Sequence, residues 1–184
     1  MGACFPAQKR DCSFLLKIPG ENGKLWKSIL NHSFDSDALQ FVLEIQDIHV
    51  TTLGEYLTPR KVAVLVLELK KFLFVLGLSM KDEQKEEFKE KMAPSPIIDR
   101  LWRLLLTSSL MYQDFCKSLF NKELIRSSRH VLSLVNYDAT RNKLVEYFGE
   151  LNETVWPRYE TETKFKQAHK GFVRLKVADF FAFH

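Results

Sequence analysis

A chain of 184 residues, 46% hydrophobic and 27% charged, is long enough to bury one core and ordinary in composition for a globular protein. Its net charge of +4 is too small to mark a whole-protein nucleic-acid binder, and no glycine-rich phosphate loop is present. Three cysteines form no CxxC pair and leave an odd count, which argues for free thiols in a reducing compartment rather than a disulfide scaffold.

Residues 1–12 show no apolar periodicity and read as an extended N-terminal segment. They carry no signal or presequence pattern, so the expected location is intracellular, cytoplasmic rather than organellar, and not secreted. Gly2 and Cys4 would suit a double acyl anchor, but Pro6 stands where the acylation pattern needs Ser or Thr, and no lipid anchor is expected. Ser13 to Ile18 reads as a short strand, and Pro19 to Gly23 as a turn by composition. Leu25, Trp26, Ile29 and Leu30 then recur at helical spacing. Asp35 or Ser36 caps a second predicted helix that carries Leu39, Val42 and Leu43, with Ile45 to Ile48 continuing it.

Thr58-Pro59 opens the most apolar helix, running to about Leu78. Glu68, Lys70 and Lys71 interrupt it, and its uncharged runs fall short of the ~18–20 residues a membrane span needs. It reads as a central core helix covered on most sides. From Lys81 to Lys91, nine residues of eleven are charged, a solvated helix or linker with pairs such as Glu87 and Lys91 rather than a set of carboxylate ligands such as Glu83 and Glu87.

Pro94 to Phe120 reads as a buried helical hairpin. Ser95 is the predicted N-cap and Pro96 the first helical residue, where a missing N–H does no harm. Ile97, Ile98, Leu101, Trp102 and Leu105 form one stripe, with Asp99 and Arg103 on the other face as an i,i+4 pair. Thr107-Ser108-Ser109 breaks the pattern. Met111, Tyr112, Phe115, Cys116 and Leu119 carry the second stripe. A further helix starts at Asn136 or Asp138, placing Tyr137, Thr140, Leu144, Phe148 and Leu151 on one face, with Gly149 near its end and Trp156-Pro157 turning the chain away. Lys164 to Lys170 reads as a weak helix ended by Gly171, and Phe172 to Val177 as a strand-like alternation. The fold class is therefore all-α, a single-domain multi-helix bundle over residues 1–184, with short strands near 13–18 and 172–177. Residues 158–184 form a basic and aromatic C-terminal extension.

The five histidines stand far apart, with no HExxH or i,i+4 pairing, and read as surface or capping residues. No catalytic residue, metal centre or cofactor is expected. Cys116 lies on an apolar stripe and behaves as a small hydrophobe rather than a nucleophile, and no serine stands in a Gly-x-Ser-x-Gly elbow.

Pro94, Asp99, Trp102, Leu106, Tyr112, Cys116 and Phe120, followed by Tyr137, Thr140, Phe148-Gly149 and Trp156-Pro157, fall on one spacing. It resembles the glycine-rich-domain-containing protein family, whose N-terminal domain of unknown function shows Pro-Ser-x-x-x-Asp-x-x-Trp-His-x-His-Ile-Leu, then Tyr and Cys, then Phe-Gly and a histidine pair. The resemblance spans about residues 60–157. Arg103 and Leu105 stand where that family has its first two histidines, and Ile125 and Arg126 where it has the second pair. The resemblance implies a degenerate member that keeps the packing residues and loses any metal or proton-relay site the histidines formed. Arg103 is expected to pair with Asp99 in preference to a carboxylate from another helix.

Arg158, Lys164, Lys166, Lys170, Arg174 and Lys176, set against Glu160 and Glu162, give an excess equal to the whole net charge of +4. Phe180, Phe181 and Phe183 follow. A basic face beside an aromatic end points to a non-enzymatic protein–protein interaction module, a small structural or accessory subunit of a larger assembly. Its expected partner is a protein with an acidic surface, bound through Lys164, Lys166, Lys170, Arg174, Lys176 and the three phenylalanines. No DNA partner is expected. The alternatives are an enzyme whose site sequence does not reveal, distinguished by a deep pocket with convergent polar groups, and an RNA- or anionic-membrane-binding domain acting through residues 158–176, distinguished by steep salt dependence.

Overall fold

The computed structural model describes residues 18–32, 59–82, 92–107, 109–120 and 133–173. Six helices account for most of them: α1 (Gly20–Asn31), α2 (Pro59–Asp82), α3 (Pro96–Thr107), α4 (Ser109–Phe120), α5 (Leu134–Phe148) and α6 (Glu162–Val173). No strand occurs among the described residues, so the all-α expectation holds there. The predicted strand at Ser13–Ile18 and helix from Asp35 to Ile48 lie almost wholly outside them, as do most of the charged run and residues 174–184.

Helix α2 is the centre. Every residue from Phe72 to Leu76 is buried, which one amphipathic stripe cannot produce, and α1, α3 and α5 pack around it. Its lysine at position 70 is also buried. Lys70 Nζ donates to the carbonyls of Leu30 (2.9 Å) and His32 (2.7 Å), so a cation closes the C-terminal end of α1, where helix carbonyls lack partners. Burial lowers the Lys70 pKa below the ordinary lysine range.

The hairpin of α3 and α4 forms as its stripes predict. Ser95 accepts from Ile98 N–H at 3.3 Å, and Ile98, Leu101 and Trp102 turn inward. The Trp102 indole donates to Tyr112 Oη at 3.0 Å, tying the two helices, and meets the Phe72 ring edge-on at 5.3 Å. Gly77 of α2 faces the Phe120 ring at the end of α4, so closely that a Cβ there would overlap it. The hairpin and the central helix therefore meet at a point where any larger residue would displace the Phe120 ring.

Helix α5 starts earlier than its periodicity predicts. Ser133 is the N-cap, accepting from Asn136 N–H at 3.2 Å, and Glu162 at the start of α6 accepts from Leu134 N–H at 2.7 Å. A carboxylate 28 residues away thus takes the Leu134 N–H, beside the local cap that Ser133 supplies. Gly149 ends α5 with φ 76°, the left-handed region that glycine enters without a Cβ penalty. Thr140 of α5 receives Ala93 N–H at 2.9 Å and donates to Asn136 O at 2.9 Å, fixing the segment that leads into α3.

Two local readings are corrected. Pro19 to Gly23 is no free turn: Gly20 to Gly23 wind the first turn of α1, since the apolar anchors Trp26 and Ile29, both fully buried, hold this short helix in place. Gly171 does not end the last helix, which runs on through Phe172 and Val173, so the predicted strand at 172–177 is contradicted where it can be seen. A single glycine weakens a helix by about 1 kcal/mol, too little to stop one docked by its apolar face.

Candidate functional site

The polar groups that enter the core gather mainly in two places, and nearly all of them meet a partner within the chain, the Trp26 indole nitrogen being an exception. Glu68 interrupts the apolar run of α2 and is 3% exposed. Its Oε1 lies 2.7 Å from Lys71 Nζ, and its Oε2 accepts from Trp156 Nε1 at 2.9 Å. Trp156 follows α5 in an irregular segment and is fully buried, stacked on Tyr137 with centroids 6.2 Å apart. Arg141 of α5 donates to the Trp156 carbonyl and grips the Glu153 carboxylate, with Nη2 3.0 Å from Oε1. Tyr137 Oη donates to the Pro157 carbonyl at 2.8 Å. Burial, seconded by Tyr159, pushes the Tyr137 phenol well above its ordinary value, so it remains a donor at any physiological pH. The turn at Trp156-Pro157 is thus clamped by one carboxylate, one guanidinium and one phenol.

The second group lies where α3 meets α6. Asp99 is buried and pairs with Arg103, Oδ2 standing 3.0 Å from Nε and 2.8 Å from Nη2. The expected i,i+4 pair is present, with Asp99 buried rather than on the outer helix face. His169 corrects the expectation of surface histidines. It is 5% exposed, with Nδ1 3.1 Å from the Phe165 carbonyl and Nε2 3.3 Å from the Pro94 carbonyl. The signal was present: Phe165 and His169 share a face at i,i+4 while lysines occupy the others. His32 does cap α1, as its place after the apolar stripe allows, and its ring meets Phe115 edge-on at 4.9 Å. His49, His130 and His184 lie outside the described residues.

Most residues quoted for the resemblance lie in the interior. Pro94, Asp99, Trp102, Tyr112, Cys116, Phe120, Tyr137, Thr140, Phe148 and Trp156 are all buried, and Gly149 and Pro157 are partly so. Arg103, which stands where the resembled family has a histidine, is 43% exposed on its side chain, whereas Leu105 points inward. Ile125 and Arg126 lie outside the described residues. Among the described residues no group of three or more His, Cys, Asp or Glu is placed to hold a metal ion. No described helix is long and apolar enough to cross a membrane.

The outer face of α6 is a different surface. Phe165 and His169 dock inward, leaving Lys164, Lys166 and Lys170 exposed beside Arg158. Lys164 pairs with Glu160 and Lys166 Nζ lies 3.0 Å from Glu162 Oε1, both at i,i+4, while Arg158 stands 3.8 Å from Glu153. The Glu162 carboxyl is held below its ordinary range by the Leu134 N–H and by Lys166. Local acids therefore offset part of the predicted basic face. Arg174, Lys176, Phe180, Phe181 and Phe183 lie outside the described residues. A shallow groove of about 540 Å³ lies beside the end of α5, lined in part by Val145, Glu150, Leu151 and Arg158.

No protein-family model matches the chain, and comparison with curated proteins and with solved structures finds no match.

Proposed function

We propose that this protein is a non-enzymatic interaction module, a small structural or accessory subunit that contacts an acidic partner through α6 and the segment after it. The observation that carries this reading is the two-sidedness of α6. Its inner face is anchored by Phe165 and His169, so the exposed lysines are presented from a fixed helix rather than a loose tail. Their ion pairs with Glu160 and Glu162 are solvent-exposed and worth only about 0.3–0.5 kcal/mol each, so a partner's carboxylates can replace them. The interior supports the same reading. Glu68, Arg141, Tyr137 and Thr140 each bind a partner that fixes the course of the chain, which is how a scaffold uses buried polar groups.

The test is affinity capture with the whole chain as bait, followed by mass spectrometry, beside the variant Lys166→Glu/Lys170→Glu. A partner with an acidic surface, retained by the wild type and lost by the variant, is the expected result. Capture unchanged by the variant, or turnover of a small molecule by the purified chain, would overturn the proposal.

A further inference from the structure

The outer face of α5 is the acidic counterpart of the α6 face. With Tyr137, Leu144 and Phe148 turned inward, Val135, Asp138, Asn142, Val145 and Glu146 are left exposed on the other side. Asp138, Asn142 and Glu146 follow one another at i,i+4 in one row along the helix. Glu150 stands exposed just past its end. Among the described residues, neither Asp138 nor Glu150 has a cation at ion-pair distance. Glu146 lies 3.2 Å from Lys143, a pair at the surface.

The same face carries apolar surface. Val135 is 77% exposed and Val145 49%, the large hydrophobic side chains that stand open to solvent among the described residues. Val145 also borders the groove that Leu151 lines. A single apolar residue on a surface needs no explanation. Here two of them share a helix face with a row of acids.

The α6 face has the complementary form. Lys166 and Lys170 are exposed one helical turn apart, the step of the acid row. A lysine stem covers apolar surface while its ammonium group reaches a carboxylate, so a lysine face suits valines set among acids. We propose that the outer face of α5 seats α6 of a second copy of this chain, an inference that rests on the reading of α6 as a surface for acidic partners. Like faces repel, so α5 meets α6 and neither meets itself. Each copy carries both faces, and it can offer both to one neighbour or each to a different one. Association exchanges exposed pairs within the chain, such as Lys166 with Glu162 and Lys143 with Glu146, for pairs between chains. Such pairs are weak and screened by salt, so the contact is weak and salt-sensitive.

Sedimentation of the full chain reads the mean mass against protein concentration at about 50 and 500 mM salt. The expected mass rises above that of one chain at low salt and falls back toward it at high salt. Asp138→Lys/Glu146→Lys and Lys166→Glu/Lys170→Glu alter exposed side chains, and each should weaken self-association roughly tenfold. Mixing the two variants sets opposite charges face to face again and should restore it. A wild type that stays a single chain at low salt overturns this inference while leaving an acidic partner of another kind standing. Self-association that survives the α5 reversal, or variants that stay apart when mixed, also overturns it. Self-association that survives the α6 reversal overturns it as well, and counts against the reading of α6 on which it rests.

Discussion

The indole N–H of Trp156 donates to Oε2 of Glu68 at 2.9 Å, joining residues 88 positions apart inside the core. The bond explains two oddities together: a carboxylate in the middle of an apolar helix, and a tryptophan fully buried in a segment with no regular structure. Neither would be tolerated alone, since an unpartnered buried polar group costs about 1–3 kcal/mol.

Glu68→Ala should therefore destabilise the protein by about 1–3 kcal/mol, and Glu68→Gln by less, because the amide oxygen still accepts from Trp156. Chemical denaturation measures both. A double-mutant cycle with Trp156→Phe should give a coupling of about 0.5–3 kcal/mol; additive single effects would show that the bond contributes nothing.

Trp102 fills the space between the hairpin and α2, against Phe72. Trp102→Ala should cost about 3–5 kcal/mol by leaving a cavity. Tyr112→Phe, which removes the acceptor for the indole N–H, should cost about 1–3 kcal/mol. Thermal melts of the two variants that coincide with wild type would place the core elsewhere.

Gly77 and Phe120 should behave as a steric pair. Gly77→Ala drives a methyl into the Phe120 ring and should cost about 1–3 kcal/mol. Phe120→Ala in the same chain opens that space, so the double variant should lose less than the sum of the two single losses. Simple additivity in denaturant midpoints would count against the close approach.

Thr140→Val keeps the shape of the side chain but leaves Ala93 N–H without its acceptor. The expected loss is about 1–3 kcal/mol, with hydrogen exchange at Ala93 rising more than at sites within α2. If Ala93 exchange stays unchanged, the 92–95 segment is held by other means.

The helices were legible where an apolar stripe repeats. Ile97, Ile98, Leu101 and Trp102 mark α3, and Tyr137, Thr140, Leu144 and Phe148 mark the buried face of α5. What escaped were contacts that span sequence. The Leu134 N–H of α5 is met by Glu162, and the last turn of α1 by Lys70, and local spacing shows neither. Glycine also misled at both ends. At Gly20 to Gly23 and at Gly171 the helix continues because packing outweighs the small local penalty. His169 could have been found by weighing its i,i+4 relation to Phe165 above its distance from other histidines. The basic face was legible as charge, but its partial pairing with Glu153, Glu160 and Glu162 was not.

The central claim is that the lysines of α6 and the segment beyond it form the contact with an acidic partner. Binding of the captured partner to wild-type chain, to Lys166→Glu/Lys170→Glu and to a chain lacking residues 172–184 is therefore measured across a salt titration. The account predicts that wild-type affinity falls with salt and that each variant binds roughly tenfold more weakly at low salt, the charge reversal also flattening the salt slope. If both variants keep wild-type affinity at every salt concentration, the interaction surface lies elsewhere and the account is contradicted.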